Sequence, residues 1–301
     1  LLRVIPDAGK KGVVVGFDGR LHSKRFAQDV VQVLAGLGIR SYLGSRPLPT
    51  PLCAFALKRL GAAAGIVVTA SHNPPQYNGY KVFWDNGAQI IAPHDQGIAA
   101  CIEQATHAPI PWLEHDAPAL EQWAYPIEES VIDAYYEDLK SLKLAKELAH
   151  FTNVPMTIAY TPLHGVGADF VERALTEWGF QQVHTVPEQR EPDGHFPTLT
   201  FPNPEEPGAM DAVLALAQDV GADLVLANDP DADRLAVAAK RPDGSYQCLN
   251  GNEIGILLGD FALRNKPEES IVATSLVSSQ MLGRLAHKRQ ATYLETLTGF
   301  K

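Results

Sequence analysis

The chain has 301 residues, 46% of them hydrophobic and 20% charged, and a formal net charge of -10. That composition supplies apolar material for two or three cores and argues against disorder. The acidic balance, with no run of Lys and Arg, excludes a basic nucleic-acid face, and no apolar stretch reaches the roughly 20 residues of a membrane helix.

Cys53, Cys101 and Cys248 are odd in number, widely spaced and without a C-x-x-C pair. A disulfide framework or zinc knuckle is therefore not expected, and a reducing cytoplasm is the simpler setting. Nothing at the N-terminus resembles a signal peptide; the first residue is Leu1 rather than Met, so the natural N-terminus is expected upstream.

The elements alternate along the chain. Gly12–Phe17 is a β-branched run that predicts a strand. Phe26–Leu37 carries apolar residues at helical spacing and stops at Gly38. Ile39–Leu43 predicts a second strand, Pro51–Leu60 a helix opened by prolines, and Gly65–Thr69 a third, buried strand running into Ser71. Tyr80–Trp84 and Ala88–Ile91 flank Asp85-Asn86-Gly87 as a hairpin. Residues 105–126, rich in Pro and His, predict surface loop, and Glu128 to about Leu148 a charged helix. A second unit starts near Val154: strand Met156–Tyr160, turn Thr161–Gly167, helix Ala168–Trp178, strand Gln182–Val186, a Pro-rich loop Pro187–Pro207, helix Ala209–Asp219 and strand Asp223–Ala227. A third begins around Asn250–Leu263, continues with strand Ile271–Thr274, and reaches Glu295–Lys301 as strand into loop.

This pattern predicts an α/β fold class: consecutive similar α/β domains with mixed, mostly parallel sheets covered by helices, and an active site in the cleft between domains. The expected division is 1–150, 151–249 and an incomplete 250–301.

Two constellations carry chemistry. In Thr69-Ala70-Ser71-His72-Asn73-Pro74-Pro75 a buried strand ends just before a serine, and the two prolines stiffen the loop beyond it. Serine is a weak nucleophile without a base or a metal. On Ser-His-Asn alone, a capped strand-to-turn segment is the simpler reading. In Asn228-Asp229-Pro230-Asp231-Ala232-Asp233-Arg234, three carboxylates at i, i+2 and i+4 repel one another unless a cation intervenes. All-oxygen donors suit a hard ion such as Mg2+. An EF-hand loop fails, because Arg234 and Lys240 stand where it needs Gly and Glu. A solvated acidic turn is disfavoured by the apolar strand that delivers the cluster. Three carboxylates leave Mg2+ short of six ligands, and a phosphate oxygen is the usual completion. Arg234 is placed to grip the same phosphate, and Ser71 to supply it as phosphoserine.

Thr69–Ile90 (TASHNPPQYNGYKVFWDNGAQI) together with Asn228–Arg234 (NDPDADR) resembles the α-D-phosphohexomutase superfamily, most of all its phosphoglucomutase and phosphopentomutase-type branch. Thr161–Gly167, Phe201–Glu205, Gly251–Glu253 and Glu295–Lys301 also match, so the resemblance covers essentially the whole chain. It implies an isomerase, an intramolecular phosphotransferase that carries hexose or pentose monophosphates through a bisphosphate intermediate. It implies Ser71 as the phosphorylated serine and Asp229, Asp231 and Asp233 as ligands of one Mg2+, with the Ser71 phosphate as a further ligand. Arg234 would steady that phosphate, and His72 and Lys81 would serve as acid/base and electrostatic helpers. Thr298 and Gly299 would belong to a sugar-facing loop. A metal-dependent phosphatase and a non-catalytic sugar-phosphate sensor remain alternatives; an intact serine and acidic trio argue against the sensor.

Other signals are weaker. Gly165-Val166-Gly167 lacks the third glycine of a dinucleotide loop, with Phe170 in its place, and reads as a tight turn. Asp18-Gly19-Arg20 resembles a segment of that family's first domain and reads as a structural turn rather than a direct phosphate contact, and His164 reads as a satisfied loop histidine. The family's upstream glycine-rich segment with its active-site arginine, its sugar-reading glutamate loop and its fourth, phosphate-clamping domain are not found here, so a fragment of a longer protein is expected.

Overall fold

The structure, a computed structural model, describes residues 1–141, 155–265 and 270–298. A first group of elements runs α1 (Ala8–Lys11), β1 (Val13–Phe17), α2 (Ser23–Gly36), β2 (Ser41–Leu43), α3 (Thr50–Leu60), β3 (Ala64–Val68), β4 (Tyr80–Trp84), α4 (His94–Ala105), β5 (Ala124–Pro126) and α5 (Glu129–Ser141). A second runs β6 (Thr157–Thr161), α6 (Ala168–Glu177), β7 (Gln182–Thr185), α7 (Pro187–Arg190), α8 (Asp211–Val220), β8 (Leu224–Asn228), β9 (Leu235–Lys240) and β10 (Tyr246–Leu249). The last comprises α9 (Gly251–Arg264), β11 (Ile271–Ser275), α10 (Met281–Lys288) and β12 (Thr292–Thr296).

The first sheet has the order β4-β3-β1-β2-β5, parallel except for β4. Its central strand β1 is buried on both sides. Val14 faces α3 and α5 with Leu52, Ala56, Leu57, Val131 and Ile132, whereas Val13, Val15 and Phe17 face α2 with Ala27, Val31 and Ala35. The twofold alternation of a strand thus loads two cores from one run of valines. The second sheet, β10-β9-β8-β6-β7, repeats the plan: β7, β6 and β8 are parallel, and β9 and β10 turn back antiparallel. Its core packs Ala159, Val225 and Ala227 under Val213 and Ala217 of α8. β11 and β12 pair in parallel, with α9 and α10 packing through Leu263, Leu282 and Ala286. The fold class is as the alternation predicts: consecutive α/β layers with mixed, mostly parallel sheets.

Several expectations need correction. Ala88–Ile91 is not a strand; it makes one bridge, Gln89 to Phe83, with Ile90 N–H donating to the Val82 carbonyl at 3.0 Å. Residues 105–126 are not all surface loop. β5 closes the first sheet beside β2, held where Ser41 N–H donates to the Trp123 carbonyl at 2.7 Å; three residues ending in Pro126 are too short to show a strand period. The sequence reading places no element between Asp233 and Asn250, where β9 and β10 form a hairpin. The expected strand at Glu295 already begins at Thr292. The helix expected to Leu148 is described only to Ser141, and residues 299–301 lie outside the described residues. Among the described residues, no helix is long and apolar enough to cross a membrane.

Candidate active site

Parallel strands deliver their carboxyl ends to one place. β1 runs into Asp18, β3 into Thr69-Ala70-Ser71, and β8 into Asp229. Open α/β sheets concentrate chemistry at such ends, where the chain leaves the sheet on loops.

Ser71 adopts φ +51°, a left-handed conformation uncommon for a residue with a side chain. Its N–H donates to Thr69 Oγ1 at 2.8 Å, and its hydroxyl donates to Asp229 Oδ2 at 2.9 Å. His72 Nδ1 lies 3.2 Å from the same hydroxyl, and the His72 ring meets Phe201 edge-on at 6.0 Å.

The acidic trio is compact. One carboxylate oxygen from each of Asp229, Asp231 and Asp233 lies within 4.8 Å of the others; Asp229 and Asp231 are fully buried, and Asp233 stands at the mouth. Ala232 turns the loop through φ +55°. Lys81, which β4 carries opposite Val67 of β3, sends its ammonium to Asp231 Oδ2 at 2.7 Å and to Asp233 Oδ2 at 2.6 Å. Arg234 donates its N–H to Asp229 Oδ1 at 3.0 Å, while its half-exposed guanidinium keeps Nε 3.9 Å from Oδ2.

Charge and burial oppose one another here. Burial, followed by the charges of Asp231 and Asp233, raises the Asp229 carboxyl to about 7. Burial also pushes Asp231 up, but the adjacent Lys81 ammonium outweighs it and holds Asp231 below the ordinary carboxylate range. Burial pulls Lys81 down; its two carboxylate partners reverse this and hold it above the ordinary lysine range. Burial and the Arg234 charge hold His72 below the ordinary imidazole range, so the ring is neutral at pH 7.

The cluster fits a hard cation. Asp231 Oδ1 is buried without a hydrogen-bond partner, an expensive condition unless something positive binds there. The donors are all oxygen, as such an ion requires.

Sequence reasoning brings together Ser71, His72, Lys81, Asp229, Asp231, Asp233 and Arg234, and the structure places all seven in one cluster. Thr298 does not join it. It lines a separate cavity of 580 Å³ with Gly251, Asn252, Thr274, Ser278 and Thr296, and Gly299 lies outside the described residues. Sequence reasoning does not place two further residues at the site. Thr50, the first residue of α3, donates its hydroxyl to Asp231 Oδ2 at 2.6 Å. Arg20, read as part of a structural turn, grips the Ser71 loop from beneath. His164 is satisfied, with Nε2 at 2.8 Å from Thr198 Oγ1. Gly165 is a close approach, since a Cβ there would meet the Pro230 backbone at 2.4 Å.

Models of phosphoglucomutase/phosphomannomutase α/β/α domains I, II and III match residues 1–109, 133–244 and 250–301. A Haemophilus influenzae protein named a probable phosphomannomutase is 42% identical over 293 residues, covering 96% of this chain and 58% of its own length. A phosphopentomutase of Pongo abelii is 40% identical over 325 residues, covering 98% of this chain and 50% of its own. A crystal structure from Thermus thermophilus, of a protein assigned as a phosphomannomutase, superposes with a TM-score of 0.76 at 29% identity, covering 95% of this chain and 60% of that one. Serial α/β layers joined by a serine loop and an acidic loop define a phosphosugar-mutase type of scaffold. The chain belongs to the α-D-phosphohexomutase superfamily. It spans about half the length of the curated relatives it matches.

Proposed function

We propose that this chain carries the phosphoryl-transfer half of a phosphosugar mutase, with Ser71 as the phosphate carrier. The observation that supports it most is the 2.9 Å contact between the Ser71 hydroxyl and Asp229, beside a buried Asp231 oxygen left without a partner. Asp229, Asp231 and Asp233 would hold Mg2+, with the phosphate on Ser71 as a further ligand. When bound, the ion neutralises charge that spreads over the equatorial oxygens of the transferring group.

The protein's own groups do the rest. Phospho-Ser71 presents its phosphorus to a sugar hydroxyl. A new O–P bond forms between the sugar oxygen and phosphorus as the bond to Ser71 Oγ breaks; the sugar hydroxyl gives up its proton, and Oγ takes up one proton as it leaves, so the transfer is proton-neutral. Neutral His72, 3.2 Å from that oxygen, is placed to hold or move the proton. Lys81 and Arg234 add positive charge on the open side of the cluster. Return of the sugar's other phosphate to Ser71 completes the shift. In the hexose case phosphate moves between positions 1 and 6, in the pentose case between 1 and 5. The neighbours named phosphomannomutase and phosphopentomutase support that substrate class.

We assign residues 1–150 to the phosphoserine unit, 151–249 to the metal unit and 250–301 to part of a sugar-reading unit in which Thr298 and Gly299 contact the sugar. The unpaired Cys53, Cys101 and Cys248 are in keeping with a reducing cytoplasm.

Incubation with a hexose 1,6-bisphosphate and Mg2+, followed by phosphopeptide mass spectrometry, should place phosphate on Ser71. Phosphate found only on other residues overturns the proposal. A coupled assay on the full-length protein separates the alternatives: isomerised product marks a mutase, free phosphate a phosphatase, and binding without turnover a sensor.

A further inference from the structure

We propose that Arg20 is a positioning residue that holds Ser71 in its left-handed conformation and so aims the hydroxyl at Asp229. For its catalytic consequence this rests on Ser71 being the phosphate carrier.

The Arg20 side chain is wholly buried, as is that of Asp18. Nη1 donates to the carbonyls of Pro74 at 2.9 Å and Tyr77 at 3.3 Å; Nη2 donates to the carbonyl of Ser71 at 2.6 Å and to that of Asn73. One guanidinium therefore binds four carbonyls between positions 71 and 77, all main-chain acceptors in a loop with no helix or sheet ladder of its own. A loop with that many inward carbonyls needs a multidentate donor, and the planar fork of arginine supplies one in a fixed geometry that a lysine ammonium does not reproduce.

The clamp is itself anchored. Nε faces Asp18 Oδ2 at 3.3 Å, and Asp18 Oδ1 accepts from Arg20 N–H at 3.0 Å and from Ser23 Oγ at 2.6 Å. Asp18 N–H donates to the Val68 carbonyl at 3.0 Å, on the strand that delivers Ser71. From the second unit, the Phe196 ring covers the guanidinium, 5.0 Å from Cζ to centroid.

Ser71 needs such a device. An L residue enters φ +51° at a cost and relaxes to negative φ unless both sides of it are held. Thr69 Oγ1 holds the N–H and Arg20 Nη2 holds the carbonyl. Relaxation would swing Oγ away from Asp229, separating the two halves of the site.

The test uses the 301-residue chain and Arg20→Lys, which keeps the charge beside Asp18 and loses the fork. Hydrogen exchange in the segment 69–79 should accelerate about tenfold, while β8 and β9 keep their protection. Transfer from a hexose 1,6-bisphosphate to Ser71 should slow by about a hundredfold at saturation, with little change in the half-saturating concentration. Asp18→Asn leaves the guanidinium in place and loosens its anchor; exchange in 69–79 should rise about threefold. Unchanged exchange in 69–79, or an equal acceleration throughout the chain, overturns the proposal. Should Arg20→Lys fail to give a cooperative thermal transition, Asp18→Asn decides by the same criterion. A native chain that accepts no phosphate on Ser71 removes the mutase reading alone, because the exchange pattern still decides the role of Arg20.

Discussion

Thr50 grips Asp231 at two points across 181 positions of sequence: its hydroxyl donates to Oδ2 at 2.6 Å, and its N–H donates to the Asp231 carbonyl at 3.0 Å. With Lys81 on the same Oδ2, that oxygen is saturated and Oδ1 is left for a cation. Thr50→Val keeps the shape and the main-chain bond but removes the hydroxyl. It should cost about 1–3 kcal/mol of stability and weaken cation binding by roughly tenfold, as loss of a ligand's supporting bond does. Thermal unfolding and isothermal titration with Mg2+ check the two effects separately.

The Lys81 ammonium lies 2.7 Å from Asp231 Oδ2 and 2.6 Å from Asp233 Oδ2, two of the three carboxylates that would hold the ion. The ammonium offsets the carboxylate charge that a cation at Asp231 Oδ1 would draw on, although it sits on Oδ2. Lys81→Met should therefore raise Mg2+ affinity, by roughly tenfold, while lowering phosphoryl transfer to Ser71. Titration calorimetry reads the first and phosphopeptide analysis the second. Loss of cation binding would instead mean that Lys81 holds the two carboxylates together.

Asp229 sets a pH dependence with a definite sign. Its carboxyl, raised to about 7, keeps a proton in the folded chain that the unfolded chain releases near pH 4. Without a cation, its contribution to stability falls as pH rises from about 4 to about 7 and then levels off. A cation must displace that proton, so the stabilisation by Mg2+ should grow as pH rises through about 7. His72, held low, works in the opposite sense below the ordinary imidazole range. Melting curves at intervals from about pH 5 to 8, with and without Mg2+, test this, and Asp229→Asn should abolish its share of the decline.

Gly165 packs under the acidic loop, where a Cβ would stand 2.4 Å from Pro230 Cα and 2.6 Å from its carbonyl oxygen. Val166 N–H donates to that same carbonyl at 2.9 Å. Gly165→Ala should cost about 1–3 kcal/mol by overpacking and weaken cation binding by shifting Asp229 and Asp231. Gly97, within α4, has nothing within 4 Å of its Cβ position, so Gly97→Ala should stabilise by up to about 1 kcal/mol. Chemical denaturation of both variants supplies the comparison.

What the sequence disclosed depended on how far apart the interacting groups lie. Asp229, Asp231 and Asp233 are legible because three carboxylates at i, i+2 and i+4 follow directly on an apolar strand. Ser71 is not legible on its own, because an apolar run ending in a serine also describes an ordinary turn; the resemblance and the acidic trio's need of a further oxygen ligand single it out. β1, β3 and β8 are legible as short runs dense in apolar residues. Thr50 is silent in the sequence, since its partner lies 181 positions away on the loop that follows β8. Arg20 lies in a segment that resembles the family, but its role is not legible: it binds main-chain carbonyls, which every residue possesses, so no side-chain pattern marks its partners. β5 is invisible because three residues do not define a period. β9 is obscured because three of the five residues in its Leu-Ala-Val-Ala-Ala run are alanine, which is depleted in strands. Thr298 joins the site by resemblance alone, and the geometry gives it a cavity of its own.

The hydroxyl of Ser71 and the carboxylate that receives it are separated by 158 positions. Ribosomes emit the amino-terminal portion first, and domains fold largely in that order. A nascent polypeptide therefore displays its serine loop well before any acidic companion exists, and in that interval the serine is merely an alcohol on a turn. Under the proposed role of Ser71, reactivity would arise only on assembly, and a half-made molecule would be spared premature chemistry.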